Sequence, residues 1–499
     1  MMKLSYKNII YVAFLGSFLS AGCSKLVDID EPIDTTTTAK LFLTDDKADQ
    51  TIAGMYAQMT IGQNTGFALT NGGATLYAGL AADELVPDDA VGFVEANDIF
   101  KHKMLAENSL SESILWIPTY KTVYTANAIL DGEAASTSAT LTQAKRNDLK
   151  ASAKFVRAFC FFYLTNFFGD IPLPIGSNHL NNMNLKRAPK AEVYERIIAD
   201  LEDALLLHKE GTSQNPTIKT RANKQAIETL LARAYLYVEN WEKAEFYANE
   251  VISKGPNTLG TLEKTFTTNS NEAIFQLSVI TNIVEFHEVK YLSPLFPLQL
   301  LPIEVQDYFT DPDVFVENSP ALIPLNYMND NLANAFENGD KRKEVWASYN
   351  PTANIPPYNG KKIYFAYKYK NPEDPAASPG SYTVLRLAEV YLIRAEARAM
   401  RNEISLAAED IDKIRLRAGL DKTTAADQDA LINAIAQERR VELFAEWGHR
   451  FFDLKRTGKA LAVLSAIPEK SAITKDKLVF PIPKEDIKNN PKLIQNPGY

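Results

Sequence analysis

The sequence of 499 residues predicts an all-α body of packed helix pairs that is interrupted by irregular insertions. Three observations lead to this fold class. Apolar residues recur three or four positions apart in many segments, which is the period of a helix that buries one face. Two of these segments contain two consecutive helices with a short joint. A central stretch, about 255–381, is rich in proline, asparagine and aromatic residues and follows no helical period.

The clearest single helix is predicted just upstream of Gly169. Its apolar stripe advances in steps of four and three residues and consists of Leu149, Ala153, Val156, Cys160, Tyr163 and Phe167. Three phenylalanines add a second apolar face, so we expect this helix to be buried on most sides. Gly169 and the following Asp-Ile-Pro are expected to end this helix. Similar stripes predict a helix around Trp116–Leu130 and another from about Pro189 to His208.

Two segments predict helix pairs that resemble tetratricopeptide units. In Asn223–Ile252, Ala232 and Tyr235 fall where such a unit has its small residue and its tyrosine. The same plan recurs at Arg386–Leu416. The spacing between the two is not the fixed period of about 34 residues of a regular array. We therefore expect degenerate helix pairs, separated by insertions, within one body.

The pattern along the chain predicts the following layout. We expect a single α-helical domain over 45–499, with helix pairs at about 45–254 and 382–465, an irregular insertion at about 255–381 and a C-terminal tail at 466–499. A smaller irregular stretch lies at about 62–97. A loop region as long as the second insertion is usually functional or disordered, and its many aromatic residues argue against disorder. The tail has four prolines after residue 478 and is expected to run extended over the surface.

Composition excludes some classes of function. Apolar residues make up 46% of the chain and charged residues 23%, which is typical of a globular protein. Lysine and arginine number 53 and aspartate and glutamate 62, so the formal net charge is −9. The chain lacks a basic run, and nucleic-acid binding needs clustered cations. Nothing after residue 23 is apolar enough in sequence to span a membrane.

The N-terminus predicts export and lipidation. Lys3 and Lys7 precede an apolar stretch from Ile9 to Leu19, which suits a secretory signal and is short for a membrane span. Leu-Ser-Ala-Gly then leads directly into Cys23 and resembles a bacterial lipobox. The resemblance implies a signal peptide over 1–22 and acylation of Cys23, and two or three acyl chains give stable anchoring. A polar tether follows over 23–44.

No catalytic or metal-binding motif is evident in the sequence. The five histidines do not have metal-ligand spacing, and neither GxSxG nor a P-loop occurs, so we predict no cofactor and no metal. Cys160 is expected to be a small buried hydrophobe. The charged motif ERRVELFAEWGHRFFDLKR around Glu438, Glu442 and Glu446 has two interpretations. It is either a catalytic cluster or a buried ion network that braces the last helix, and the several matched charges favour the network.

These motifs together resemble the SusD/RagB-type lipoproteins of Bacteroidetes. The resemblance covers nearly the whole chain and includes the lipobox, AKFVRAFCFFYLTNFFGDIPLPI, LLARAYLYVENWEKA, VLRLAEVYLIRAEA, QERRVELFAEWGHRFFDLKRTG and the terminal FPIPKEDIKNNPKLIQNPGY. It implies about four tetratricopeptide-like helix pairs in one body, anchored on the outer face of the outer membrane. It also implies a SusC-like TonB-dependent transporter as partner, a glycan or sometimes a peptide as cargo, and no catalysis.

Cargo contacts are expected in the two insertions, because sugar rings stack on aromatic side chains and sugar hydroxyls need fixed polar groups. The candidates are Tyr77, Asp83, Phe93, Tyr308, Tyr327 and Trp346, with Tyr349 and Tyr358 beside them. Three alternatives stay open: a peptide-binding member of the same family, a lipid-anchored glycoside hydrolase, and a helical scaffold that binds only protein partners. Abundant carboxylates keep the hydrolase in consideration.

Overall fold

A computed structural model describes the parts of the chain on which the following account rests. These are residues 38–60, 68–88, 94–211, 218–268, 270–279, 287–370 and 380–499. The predicted signal peptide, Cys23 and most of the predicted tether lie outside the described residues, as does Phe93.

The N-terminal part, up to residue 254, is helical. Its helices are α1 Thr38–Leu41, α2 Asp45–Thr60, α3 Gly73–Ala81, α4 Val94–Phe100, α5 Ile117–Ala135, α6 Gln143–Phe168, α7 His179–Asn182, α8 Lys190–Glu210, α9 Lys224–Tyr237 and α10 Trp241–Lys254. A π-helical turn, Ser111–Trp116, leads into α5. The short strands in this part are β1 Leu85–Pro87, β2 Ile171–Pro172 and β3 Arg187–Ala188.

The middle of the chain consists of short helices and strands. They are β4 Ala273–Ser278, α11 His287–Leu292, α12 Ile303–Tyr308, α13 Pro312–Leu322, β5 Asn326–Met328, α14 Asp330–Ala333, α15 Lys341–Trp346, β6 Ala347–Pro351, β7 Lys362–Ala366 and β8 Ser381–Arg386. The sequence pattern did not predict these helices. Their local signals are caps: Asp311 accepts hydrogen bonds from the Asp313 and Val314 amides, and Pro312 occupies the first turn of α13.

The C-terminal part returns to helices. They are α16 Leu387–Met400, α17 Ile404–Arg417, α18 Gln428–Glu442, α19 His449–Arg456, α20 Ala460–Leu464 and α21 Lys484–Asn489. Helix α21 lies in the tail, which was expected to be extended. Its first turn carries Glu485 and Asp486, which suit the positive end of the helix dipole.

Helix α6 is the central element of the core. The Thr142 side chain accepts a hydrogen bond from the Lys145 amide at its start, and Gly169, with φ of 76°, ends it. The predicted stripe and the second aromatic face are buried, and Cys160 is a free, fully buried thiol among them. Helices α5 and α8 both pack against α6.

The two predicted helix pairs are present. Helix α9 packs against α10, and α16 against α17, and α10 also packs against α16, so that the pairs form one continuous layer. Asn223 and Asn240 cap α9 and α10 with their side chains. In the described ranges, every sheet has two antiparallel strands, in the pairings β1–β5, β2–β3, β4–β8 and β6–β7. The all-α fold class is therefore confirmed.

The tail closes over the core. Ile482 and Leu493 are buried, and the Tyr499 hydroxyl donates a hydrogen bond to the Val479 carbonyl at 2.8 Å. The Asn496 amide group donates to the carbonyls of Phe168 and Phe480, at the C-terminal end of α6. None of the helices in the described ranges combines the length and hydrophobicity that a bilayer crossing requires.

Candidate functional site

The two insertions, predicted separately, lie side by side. Strand β1 pairs with β5, so that Val86 lies opposite Tyr327 and Leu85 opposite Met328. Further along, the Tyr358 hydroxyl donates a 2.8 Å hydrogen bond to Asp88. Residues separated by more than two hundred positions thus build one surface, which sequence spacing alone could not indicate.

The middle segment, 287–370, has a small hydrophobic cluster of its own. This cluster consists of Leu298, Phe315, Leu322, Ile323, Ala353, Tyr358 and Ile363. Tyr358 and Phe315 contact edge to face, with ring centroids 5.6 Å apart. The cluster explains how a segment of short elements holds a defined surface.

Tyr308 is the predicted residue most accessible to a ligand. It ends α12, its side chain is 61% exposed, and its ring lies edge-on to Phe309 with centroids 5.5 Å apart. Tyr327 is half-buried on β5. Both therefore remain candidate ligand contacts. A cluster of exposed apolar residues surrounds Tyr308 in sequence and is called here the apolar surface: Leu295, Phe296, Leu301, Ile303, Val305, Tyr308 and Val316.

Besides Tyr358, which is buried in the small cluster, three of the predicted contact residues lie in the interior, which corrects the expectation that they face a ligand. Tyr77 is buried within α3. Asp83 is buried in a two-arginine clamp, 2.7 Å from Arg450 Nε and 2.8 Å from Arg440 Nη2. Trp346 is 1% exposed, and its indole N–H donates to the Leu262 carbonyl at 2.9 Å. Tertiary packing outside their own segments buries all three.

The charged motif at the end of α18 forms a buried ion network, as the favoured interpretation predicted. Arg386 donates to Glu446 at 2.7 Å, to Glu442 at 2.6 Å and to Glu272 at 2.9 Å. Arg342 donates to Glu438 and Glu442 at 2.9 and 3.1 Å. The neighbouring arginines hold the pKa of Glu442 well below its usual value, although burial alone would raise it.

Sequence reasoning missed half of this network. Arg342 and Lys368 come from the middle segment, Arg386 ends β8, and Glu272 directly precedes β4, all far from the motif in sequence. The available signal was the four-residue spacing of Glu438, Glu442 and Glu446, which places three carboxylates close together, since buried carboxylates need cations as partners. Gly448 turns the chain with φ of 76°, and a Cβ there would lie 2.6 Å from Ala78 Cβ.

One buried carboxyl, that of Glu84, is only partly compensated by nearby cations. Burial, together with the adjacent Asp83 carboxylate, raises the pKa of Glu84 to about 8. Its Oε1 finds no hydrogen-bond partner among the described residues. Since Glu84 is buried, no substrate could reach it in this structure. In the described part of the chain, no group of three or more His, Cys, Asp and Glu side chains could hold a metal ion.

Fold and site together define a class: a helical-pair protein that displays a surface built from inserted segments. Comparison with known families gives two matches. The family described as "SusD family" matches residues 325–499, and the one described as "Starch-binding associating with outer membrane" matches 27–236. Together they span more than half of the chain, which belongs to the SusD/RagB family.

Relatives are similar over nearly the full length. SusD-like protein P25 of Formosa agariphila is 24% identical over 99% of this chain and 100% of its own, and SusD-like protein P2 of the same organism is 26% identical over 96% and 97%. A SusD superfamily protein from Bacteroides vulgatus superposes with a TM-score of 0.74 at 18% identity, covering 92% and 100%. A laminarin-binding SusD-like protein superposes with a TM-score of 0.69 at 21% identity, and the match covers 91% of this chain and 100% of that protein. These likenesses support the fold.

Proposed function

We propose that the protein is a cell-surface lipoprotein that captures a carbohydrate and delivers it to a SusC-like TonB-dependent transporter, without itself cleaving the cargo. The observation that carries the proposal is the set of exposed aromatic and aliphatic side chains of the middle segment, which includes Tyr308. The family description "Starch-binding associating with outer membrane" and the laminarin-binding neighbour support a glycan as cargo.

Tyr308 has the properties of a stacking platform. Its ring is exposed at the end of a helix and is braced edge-on by Phe309. An exposed aromatic face presents apolar area of fixed orientation, and this is what the C–H face of a sugar ring requires. Tyr327, on the strand that joins the two insertions, would add a second contact.

The rest of the apolar surface is suited to the transporter. Leu295, Ile303 and Val316 are each more than half exposed, and exposed apolar side chains of this kind are suited to protein–protein contacts. A lid that closes on a barrel would cover them. The lipid anchor at Cys23 would keep the body close to that barrel and so raise the effective concentration of the body at the transporter.

Titration of the full chain with maltotetraose and laminaritetraose tests the cargo. We expect at least one of the two to bind, and Tyr308→Ala to weaken that binding about fivefold because an aromatic contact of about 1 kcal/mol is lost. Phe246→Ala, which removes another exposed ring, on α10, is the matched control. Binding of members of a peptide library, together with binding of neither sugar, would replace the glycan with the peptide alternative.

Two further measurements test the remaining parts of the proposal. Incubation with a bound oligosaccharide should release no new reducing ends; release that disappears on a single Glu or Asp substitution would favour the hydrolase. Cys23→Ser should abolish labelling by an alkyne fatty acid and release the protein from membranes. Labelling of the variant would contradict the lipoprotein proposal.

A further inference from the structure

A groove lies outside the inserted segments, between α5 and the C-terminal tail. Its volume is about 670 Å³, within the range of small-molecule sites. Helix α5 forms its floor, β2 and α7 one wall, and α21 the other. We call it the tail groove. The proposed cargo surface does not include it.

The floor of the tail groove is an aromatic row. Trp116, Tyr120 and Tyr124 follow one another four residues apart along the helical run into α5, so they cover about 12 Å of one helix face. The rings of Trp116 and Tyr120 are 4.7 Å apart, and the Tyr120 hydroxyl is fixed by donating to the Pro172 carbonyl at 2.8 Å. Tyr124 is 55% exposed and offers its ring to the groove.

The walls are rigid. The Asn127 amide group donates to the Pro174 carbonyl at 2.9 Å, and its oxygen accepts from Arg157 at 2.7 Å. On the opposite wall, the Asn490 amide group donates to the Leu185 carbonyl at 2.8 Å. Pro172 and Pro174 add fixed backbone. A groove held in this way is pre-organised, so that a ligand pays little ordering entropy on binding.

Several polar side chains remain to face a ligand. Asp486 accepts a hydrogen bond from Trp116, and burial raises its pKa. Asn182 uses its amide group to hold the Gly176 carbonyl at 2.8 Å, and its oxygen accepts no hydrogen bond from the described residues. The exposed Asn489 and His179 stand at the rim. These groups can both donate to and accept from hydroxyls.

The lining discriminates between ligand classes. No lysine or arginine belongs to the described residues that line the groove, which disfavours anionic ligands. Strands β2 and β3 are only two residues long and pair with each other, so the wall offers little edge for strand addition by a peptide. Aromatic rings beside carboxamides and one fixed carboxylate match an uncharged ligand with apolar faces and many hydroxyls.

We propose that the tail groove is a second carbohydrate-binding site that takes a short neutral oligosaccharide, stacked on Tyr124 and hydrogen-bonded by Asp486, Asn182 and Asn489. This inference rests on the proposed function, since it assigns an additional site for the same class of cargo. A second site would let the protein hold a polymer at two points, which raises avidity without a stronger single contact.

Hydrogen exchange of the full chain, followed by mass spectrometry with maltotetraose, laminaritetraose or tetragalacturonate, locates the ligand. We expect a neutral sugar to protect peptides around 116–127, 177–185 and 486–493, and the anionic sugar to leave them unchanged. Protection by tetragalacturonate alone, or by an apolar peptide such as tetraleucine alone, would overturn the inference.

Variants separate this inference from the proposed function. Tyr124→Ala and Asn489→Ala should each weaken binding at the tail groove by about tenfold and remove its protection, while Phe246→Ala should not. Tyr308→Ala should leave protection of the tail groove intact. If a neutral sugar binds and only Tyr308→Ala reduces binding, the proposed function holds and the second site is overturned. If neither neutral sugar binds the wild-type chain, both the proposed carbohydrate capture and the second site are overturned.

Discussion

The paired-helix region and the middle segment, 287–370, bury their side chains in different ways. Around α6 the paired helices share one large core, in which rings such as Phe159, Tyr163 and Trp447 contact one another at centroid distances of 4.8–5.6 Å. The middle segment has a small cluster of its own and leaves a row of apolar side chains exposed. The first arrangement favours stability, and the second leaves apolar area available for binding.

The ion network joins the two regions. Arg342 and Lys368 belong to the middle segment, whereas Glu438, Glu442 and Glu446 belong to the paired-helix region. Buried charges of this kind are destabilising unless every partner is present. The network therefore fixes how the middle segment sits on the helices, and its removal gives the largest effect we expect.

Arg386→Met should lower the free energy of unfolding by about 3–5 kcal/mol, because it leaves Glu272, Glu442 and Glu446 buried with a missing cation. Denaturant unfolding measures the loss. Lys484→Met, which breaks the exposed pair with Glu107, is the control and should behave like the wild type. Equal stability of the two variants would mean that the buried charges around Arg386 do not stabilise the fold.

A pair of identical substitutions compares the regions directly. Val156, on α6, is fully buried, whereas Val316, on α13, is 61% exposed. Val156→Ala should cost about 2 kcal/mol through lost burial and a residual cavity, and Val316→Ala less than about 0.5 kcal/mol. Thermal or denaturant unfolding gives both values. A large loss of unfolding free energy for Val316→Ala would show that the Val316 side chain is packed against other residues rather than exposed.

The sequence predicted the paired-helix region well because its signals are local. The steps of four and three residues ending at Phe167 identify α6 and also its buried face. In the two insertions, burial depends on partners distant in sequence: Trp346 is buried against Leu262, and Asp83 against Arg440 and Arg450. No periodicity encodes such contacts. Tyr308 was identified because it lies in an irregular, aromatic stretch, and its exposure agrees with that choice without testing it.

The sequence analysis did not predict the tail groove, because its aromatic residues follow a regular helical period. Trp116 and Tyr120 lie on a regular helical stripe, and such a stripe predicts core. The groove exists because α21 and its neighbours approach this stripe from the far end of the chain without covering Tyr124. A helical period predicts which face is apolar but not what covers that face.

Tyr358→Phe tests the contact between the two insertions. The variant keeps the ring in the small cluster and removes only the hydroxyl that donates to the buried Asp88. A lost hydrogen bond to a charged acceptor should cost about 1.5 kcal/mol. Tyr349→Phe, in the β6–β7 hairpin, is the matched control, since no hydrogen bond of its hydroxyl is formed within the described ranges. Identical stability of both variants would show that the Asp88 contact contributes nothing.

Glu84 lies where the two regions meet, and its titration should be visible in stability. Its backbone carbonyl accepts a hydrogen bond from the Asn329 amide, and its carboxyl is buried beside Asp83. An unfolded glutamate loses its proton near pH 4.5, whereas in the fold the pKa of Glu84 is about 8. The folded state therefore binds the extra proton between these values, and stability contributed by this group is lost as the pH rises toward 8.

Glu84→Gln removes this dependence, because the amide cannot ionise. We expect the variant and the wild type to be similarly stable near pH 5, and the variant to be more stable by at least about 1 kcal/mol near pH 8. Denaturant unfolding at both pH values measures the difference. Subtracting the unfolding free energy of the variant from that of the wild type cancels the contribution of the other titrating groups. Glu485→Gln, an exposed carboxyl on α21, is the control and should show no such divergence. A wild-type curve parallel to that of Glu84→Gln would place Glu84 in contact with solvent or a cation, and the meeting point of the two regions would then be open.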